Sequence, residues 1–161
     1  SVLALGPHLK STVTMTRGNR AYMSPHVGDL DTPTAVAFHA ETAEALCAML
    51  QSEPEIIACD LSPDFASTRL ARQLSAEKGL PLVPVQHHHA HLAACLADCA
   101  EPGPALGVTW DGTGLGTDGT IWGGELLLGD ASGYERVAHL HPFRLPGGEA
   151  AIRELFERSF S

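Results

Sequence analysis

The sequence predicts an α/β protein, in which a first lobe of alternating strands and helices is followed by the opening β-meander of a second lobe. Three observations carry this. Between residues 34 and 100, segments of helical period alternate with short apolar runs of strand length. The stretch Glu-Pro-Gly-Pro at 101–104 is the one strong linker signal, and a new β-meander begins after it. Both halves also open with an apolar strand running into a glycine turn, "LALGPHLK" and "GVTWDGTG", as duplicated lobes facing a cleft would. The expected division is residues 1–102 as the first lobe and 103–161 as the incomplete start of the second.

Each element has a local reason. "SVLALG" is a strand stopped by Gly6-Pro7, and residues 11–29 read as two β-rich segments joined by a turn at Gly18-Asn19. From Thr34 to Gln51, Val36, Ala40, Ala43, Leu46, Cys47 and Leu50 recur at helical spacing, with Asp31 or Thr32 as N-cap ahead of Pro33. "EIIACDL" is a short buried strand; Ser62 to Lys78 reads as a helix with Gly79 as a left-handed C-cap. "LPLVPV" is a strand and His87 to Ala100 a third helix. The helices after the fourth and fifth strands are expected to cross over a partly parallel sheet. Beyond the linker, "ALGVTWDGTG" is a strand ending in a glycine turn, "GTIWGGELLLGD" a second and "YERVAHLHPF" a third. Asp118-Gly119 reads as a type I′ hairpin turn. The tail "AAIRELFERSFS" supplies one short helix at most, so the second lobe is unfinished.

Composition narrows the function. A 44% hydrophobic content suits a globular core, and a net charge of −9 argues against nucleic acid or an anionic membrane as partner. Anionic small molecules stay open, because clustered backbone N–H groups bind phosphate on an acidic protein. No apolar run reaches the ~18 residues of a membrane span, and the start lacks the basic leader of a signal peptide. The first residue is not Met, from which the chain is expected to be cut from something longer. Cys47, Cys59, Cys95 and Cys99 form no CxxC pair and are read as buried, reduced thiols of a cytoplasmic protein.

The stretch "QHHHAHLAACLADC" carries the chemistry. His87 and His91 are four apart, which on a helix places two imidazoles about 5–6 Å apart at Cβ, the spacing that one metal ion needs. His88 with His91 is a poorer i, i+3 alternative, and His89 projects from another face. Cys95 and Cys99 continue the His87–His91 face, but twelve residues at ~1.5 Å rise are too long for one ion. A third ligand must come from another segment, with a carboxylate the natural candidate. The bland alternative is a histidine-rich helix start that caps itself and sits in solvent.

Asp111 ends an apolar strand and is followed by Gly112, Gly114 and Gly116, so its carboxylate is carried on a loop whose backbone can approach a ligand closely. GxGxxG and GxxxxGK[ST] are both absent, which leaves dinucleotide and P-loop binding unsupported. Lys10 follows a strand and a glycine turn and precedes Ser11 and Thr12, a set that could hold phosphate; an exposed turn lysine is the alternative.

Together "VQHHHAHLAACLAD", "DGTGLGTDGTIWGGE", "LALGPHLKSTV", "HVGDLDTP" and "LPGGEAAIRE" resemble the C-terminal carbamoyltransferase domain of the HypF hydrogenase-maturation family, itself similar to the TsaD family of tRNA-modification proteins. The resemblance implies the ASKHA fold, actin-like and RNase H-like. It implies a carbamoyl adenylate made from carbamoyl phosphate and ATP, whose carbamoyl group passes to a C-terminal cysteine of a HypE-type partner. It implies a divalent metal, iron or zinc, on His87, His91 and Asp111. Lys10, Ser11 and the backbone of Gly112, Thr113 and Gly114 would face phosphate, and Gly147 and Gly148 are a further anion contact. None of the four cysteines is needed as nucleophile. After "AIRE" the tail leaves the family pattern, and the family's remaining modules are missing, so this chain alone is expected to be inactive. A non-catalytic metal- or nucleotide-binding fragment, dimerising to cover its bare surface, and a tRNA threonylcarbamoyl-transfer relative are the alternatives.

Overall fold

A computed structural model describes residues 1–142. In chain order the elements are β1 (Val2–Ala4), β2 (Thr14–Arg17), β3 (Arg20–Met23), α1 (Pro33–Leu50), β4 (Ile56–Asp60), α2 (Ala66–Lys78), β5 (Leu82–Val85), α3 (His87–Asp98), β6 (Ala105–Leu115), β7 (Ile121–Gly129) and β8 (Tyr134–His139). They build two sheets, β3-β2-β1-β4-β5 and β6-β7-β8.

In the first sheet β1, β2 and β3 form an antiparallel meander, while β4 and β5 run parallel to β1. Leu3, Leu5, Met15, Ile57 and Cys59 bury against Ala43, Leu46 and Leu50 of α1 and Ala71 of α2. Removing a side chain such as Ile57 from water stabilises the fold by about 1.5–3 kcal/mol. Helix α1 starts where its sequence says it should: Pro33 takes the first turn and Thr32 accepts the Ala35 N–H. Helix α2 begins at Ala66, four residues later than its periodicity suggests. Pro63 keeps Ser62 extended, and the Asp60 carboxylate holds the Ser62 N–H at 2.7 Å, so residues 61–65 form a turn. Gly79 then ends α2 in the left-handed conformation, as expected.

The parallel arrangement has a functional consequence. Asp60 pairs with Val85, so the end of β4 and the start of α3 leave the sheet side by side.

Helix α3 does not recross the first sheet. It packs instead on β6 and β7, because Leu92 and Leu96 find their apolar partners in Trp122 and Leu127. Gly107 makes the approach possible: a Cβ there would lie 2.8 Å from Leu92 Cδ1. Strand β6 also runs past the expected glycine turn, as far as Leu115. The reversal comes later, where Gly119 accepts the positive φ and its N–H reaches the Gly116 carbonyl. Asp118 is not left-handed, so the connection is a turn from Gly116 to Gly119 that ends in a left-handed glycine rather than type I′. The Asp118 carboxylate instead accepts from Thr120 and Trp122.

His39 of α1 is fully buried, with no hydrogen-bond partner on either ring nitrogen. Burial pushes its pKa below the ordinary imidazole value, and the nearby Leu5 carbonyl offsets this only in part. The unfolded chain takes up this proton near pH ~6.5, whereas the folded chain resists it. The contribution is therefore present above about pH 6.5 and is lost as pH falls toward the depressed folded value. Thermal unfolding followed from about pH 7.5 to about 5.5 is expected to show a falling Tm, and His39→Leu to flatten that slope. An unchanged slope in the variant would remove His39 from the account.

Candidate metal centre

The start of α3 is fixed by Gln86. Its side-chain oxygen caps the helix through the His89 N–H at 2.9 Å, while its Nε2 lies 3.0 Å from His88 Nδ1 and donates to the Leu115 carbonyl at 3.2 Å. One buried amide thus orients the helix and ties it to β6. On the face so presented, His87 and His91 stand one turn apart with their Nε2 atoms 3.2 Å from each other and their rings nearly perpendicular, at 86°.

Strand β6 supplies the third group through an irregularity. Trp110 pairs with Gly124 and Gly114 with Trp122, so Asp111, Gly112 and Thr113 stand opposite Gly123 alone. The bulge re-aims Asp111, whose Oδ2 lies 2.7 Å from His87 Nε2 and 3.4 Å from His91 Nε2. Gly114 allows the approach, since a Cβ there would lie 2.6 Å from His88 Cε1 and 3.0 Å from His87 Cβ.

The chemistry of this set favours a cation. Asp60 Oδ2 lies 3.1 Å from His87 Nδ1, and a carboxylate can only accept, which places the proton of a neutral ring on Nδ1. His87 Nε2 then turns a lone pair toward two further lone-pair atoms, His91 Nε2 and Asp111 Oδ2. Asp111 Oδ2 is buried and makes no properly aligned hydrogen bond despite its short distance to His87. The three ligand atoms lie within 4.8 Å of one another, and a divalent ion fits that acceptor-rich group. Without an ion a second proton is the alternative: the hydrogen bond to Asp60 raises the His87 pKa, against desolvation, and Asp111 adds to the rise. Burial pushes the Asp111 carboxyl up, but the Gly112 N–H and the neighbouring imidazoles outweigh it and hold the group below its usual range.

His91 is the exposed member of the set. Together with Asp111 it lines a groove of about 390 Å³ between α3 and β6, whose other walls include Leu92, Cys95, Val108 and Trp110.

The other histidines do different work. His88 is fully buried beside Trp122, which removes it as the i, i+3 alternative. His89 reaches the Asp130 carbonyl at 2.7 Å on another face, as expected. Cys95 and Cys99 are exposed rather than buried, and Cys95 lines the groove beside His91.

The phosphate candidates are placed less simply. Lys10 is exposed in the left-handed region, its N–H bound to Asp29 Oδ1. Ser11 is fully buried and its hydroxyl has no partner, so it is not presented to solvent. The Gly112 N–H is engaged by Asp111 Oδ1 at 2.6 Å, Thr113 is exposed, and Gly114 serves helix packing. Gly147 and Gly148 lie outside the described residues.

Two residues of the centre escape the spacing rules: Gln86 and Asp60. Asp60 carries a readable signal all the same, since "IIACD" ends an apolar strand in a carboxylate just as "GVTWD" does.

Residues 1–98 match the family model described as the HypF Kae1-like domain. The chain belongs to that HypF family. Residues 107–160 match a second model, the second subdomain of the carbamoyltransferase Kae1-like domain. That match corrects the expectation that the tail departs from the family after "AIRE". Among relatives, the chain is 50% identical over 154 residues to carbamoyltransferase HypF2 of Cupriavidus necator, covering 96% of this chain and 19% of that protein. It is 49% identical over 154 residues to carbamoyltransferase HypF of Rhizobium leguminosarum bv. viciae, with 96% and 20% covered. A crystal structure of full-length HypF in a phosphate- and nucleotide-bound form superposes with a TM-score of 0.88 at 42% identity, covering 94% of this chain and 20% of the other. The T. kodakarensis HypF gives 0.85 at 31%, with the same coverage. This HypF-family chain therefore spans about a fifth of the length of these relatives.

The two glycines flanking Thr113 give a test of the bulge. Gly114→Ala drives a methyl into His88 and is expected to cost about 1–3 kcal/mol, whereas Gly112→Ala enters open space and is expected within about 0.5 kcal/mol of wild type. Urea unfolding of both variants measures the difference; equal losses would refute the packing assigned to Gly114.

Proposed function

We propose that the chain is the metal-bearing part of a carbamoyltransferase that passes a carbamoyl group from carbamoyl adenylate to a cysteine of a HypE-type maturation partner. The reading is carried by one observation: two imidazoles from α3 and a carboxylate from β6 converge within 4.8 Å, in a chain whose relatives are named carbamoyltransferases. Residues 1–102 serve as the first ASKHA lobe and 103–161 as the start of the second, and the centre lies where the two sheets meet. The nucleotide-bound form of the full-length relative supports an adenylate as donor.

His87, His91 and Asp111 would hold an iron or zinc ion, which when bound supplies a Lewis acid for a carbamoyl or phosphate oxygen. The chain's own residues set the rest. Gln86 fixes the rise of α3, so that both imidazoles are presented together. The bulge in β6 holds the carboxylate on a strand rather than a free loop, which limits its movement. Lys10, which is exposed, would serve as a cation for phosphate, and the groove beside His91 leaves room for the acyl group and an incoming thiol. In the transfer the partner's thiolate adds to the carbamoyl carbon, the bond from that carbon to the AMP phosphate oxygen breaks, and the thiol proton passes to solvent. The products are a thiocarbamate and AMP, and no oxidant or reductant is consumed.

Titration of the chain with Zn²⁺ or Fe²⁺ tests the centre. One equivalent is expected to bind, and His87→Ala, His91→Ala and Asp111→Asn to weaken binding by more than the ~10–100-fold typical of losing an outer partner. His89→Ala is expected to bind like wild type. Carbamoyl adenylate offered with a HypE-type acceptor then separates a catalytic segment from a binding fragment. Binding that ignores all three substitutions would overturn the proposal.

A further inference from the structure

We infer that Asp60 is a positioning residue of the metal centre, one that fixes the tautomer and the aim of His87 without touching the ion. This rests on the reading of His87, His91 and Asp111 as ligands. The two imidazole nitrogens point to opposite sides of the ring, so a carboxylate on Nδ1 leaves Nε2 facing His91 and Asp111. Asp60 is outside the group of atoms that converge on one point, so it is not a fourth ligand.

The carboxylate is itself held rigidly. It sits at the last position of β4, its side chain only 5% exposed. Oδ1 accepts the Ser62 N–H at 2.7 Å, while Oδ2 is left for His87. A local turn role would use the first oxygen alone. The second is turned across the cleft between β4 and α3, and a buried charge there is costly unless a partner answers it. The strand register provides that partner, since Asp60 lies beside Val85, two residues before His87. Carboxylate–histidine–metal relays of this kind raise the basicity of the ligating nitrogen and restrict rotation of the ring.

The test uses the 161-residue chain, with Zn²⁺ alone as the probe. Competition with a chromophoric chelator gives the Kd of wild type, Asp60→Ala, Asp60→Asn and His87→Ala, alongside the Tm of each metal-free form. Wild type is expected to bind and His87→Ala to lose binding. Asp60→Ala and Asp60→Asn are expected to raise the Kd by about 10–100-fold, since Asn can turn an N–H toward Nδ1 and favour the proton on Nε2. Wild-type binding with an unchanged Kd in both Asp60 variants overturns the inference and leaves the centre standing. No binding by wild type overturns the centre, and the inference with it. Should the variants unfold, ¹⁵N NMR of metal-free wild type at high pH decides: a neutral His87 protonated on Nδ1 supports the relay, and one protonated on Nε2 refutes it.

Discussion

The side-chain amide of Gln86 is the joint on which the rest of the structure depends. With one oxygen and one nitrogen it caps α3, engages His88 and grips the Leu115 carbonyl of β6. Two sheets that share no strand pairing are thereby held at the separation at which His87 and His91 reach Asp111. A buried polar link of this kind is worth most when every member is satisfied, and here the amide uses both of its ends. The glycines nearby answer to the same constraint. Gly107 and Gly114 are the points at which β6 comes too near α3 for any side chain.

Charge is distributed around this joint with the same economy. The chain carries a net −9, yet the two acidic groups nearest the centre are not free charges repelling one another. Asp60 and Asp111 take opposite nitrogens of one imidazole, and the ring between them is drawn toward its protonated form. A cation replacing one of those protons meets a negative surrounding already in place, which costs little reorganisation. An acidic protein and the proposed phosphate-bearing donor are compatible on this view, because an ion held there would bring the positive charge that the surrounding carboxylates lack.

Much of this was legible in the residues. The hairpin at Gly18-Asn19, the Thr32 cap, the Gly79 stop and the His87–His91 pair follow from local rules of turn, cap and period, and each stands where those rules put it. What the sequence concealed was tertiary. Helix α3 has the same apolar stripe whichever sheet it faces, so nothing local told it to choose Trp122 and Leu127. The glycines after Asp111 look like a turn in one dimension, whereas they form a bulge because Gly124 and Trp122 pair on either side of them. Asp60 was hidden for a related reason: its importance lies in a neighbour 27 residues away, reached only once β4 and β5 run parallel.

The run of four histidines in five positions resolves into four environments, and the differences follow from helix geometry and neighbours alone. His87 lies between two carboxylates and gains basicity. His88, one residue on, turns inward beneath Trp122, where burial and the charge of His87 push its pKa down, so it stays neutral and can accept from Gln86. His89 turns to a third side and closes on the Asp130 carbonyl and Tyr134. His91 returns to the face of His87 but at the open rim, where an incoming ligand meets it first. The repetition is therefore not redundancy. A step of one residue on a helix rotates a side chain by about 100°, and that rotation separates a member of the His/Asp cluster from a packing group and a packing group from a tether to the second sheet.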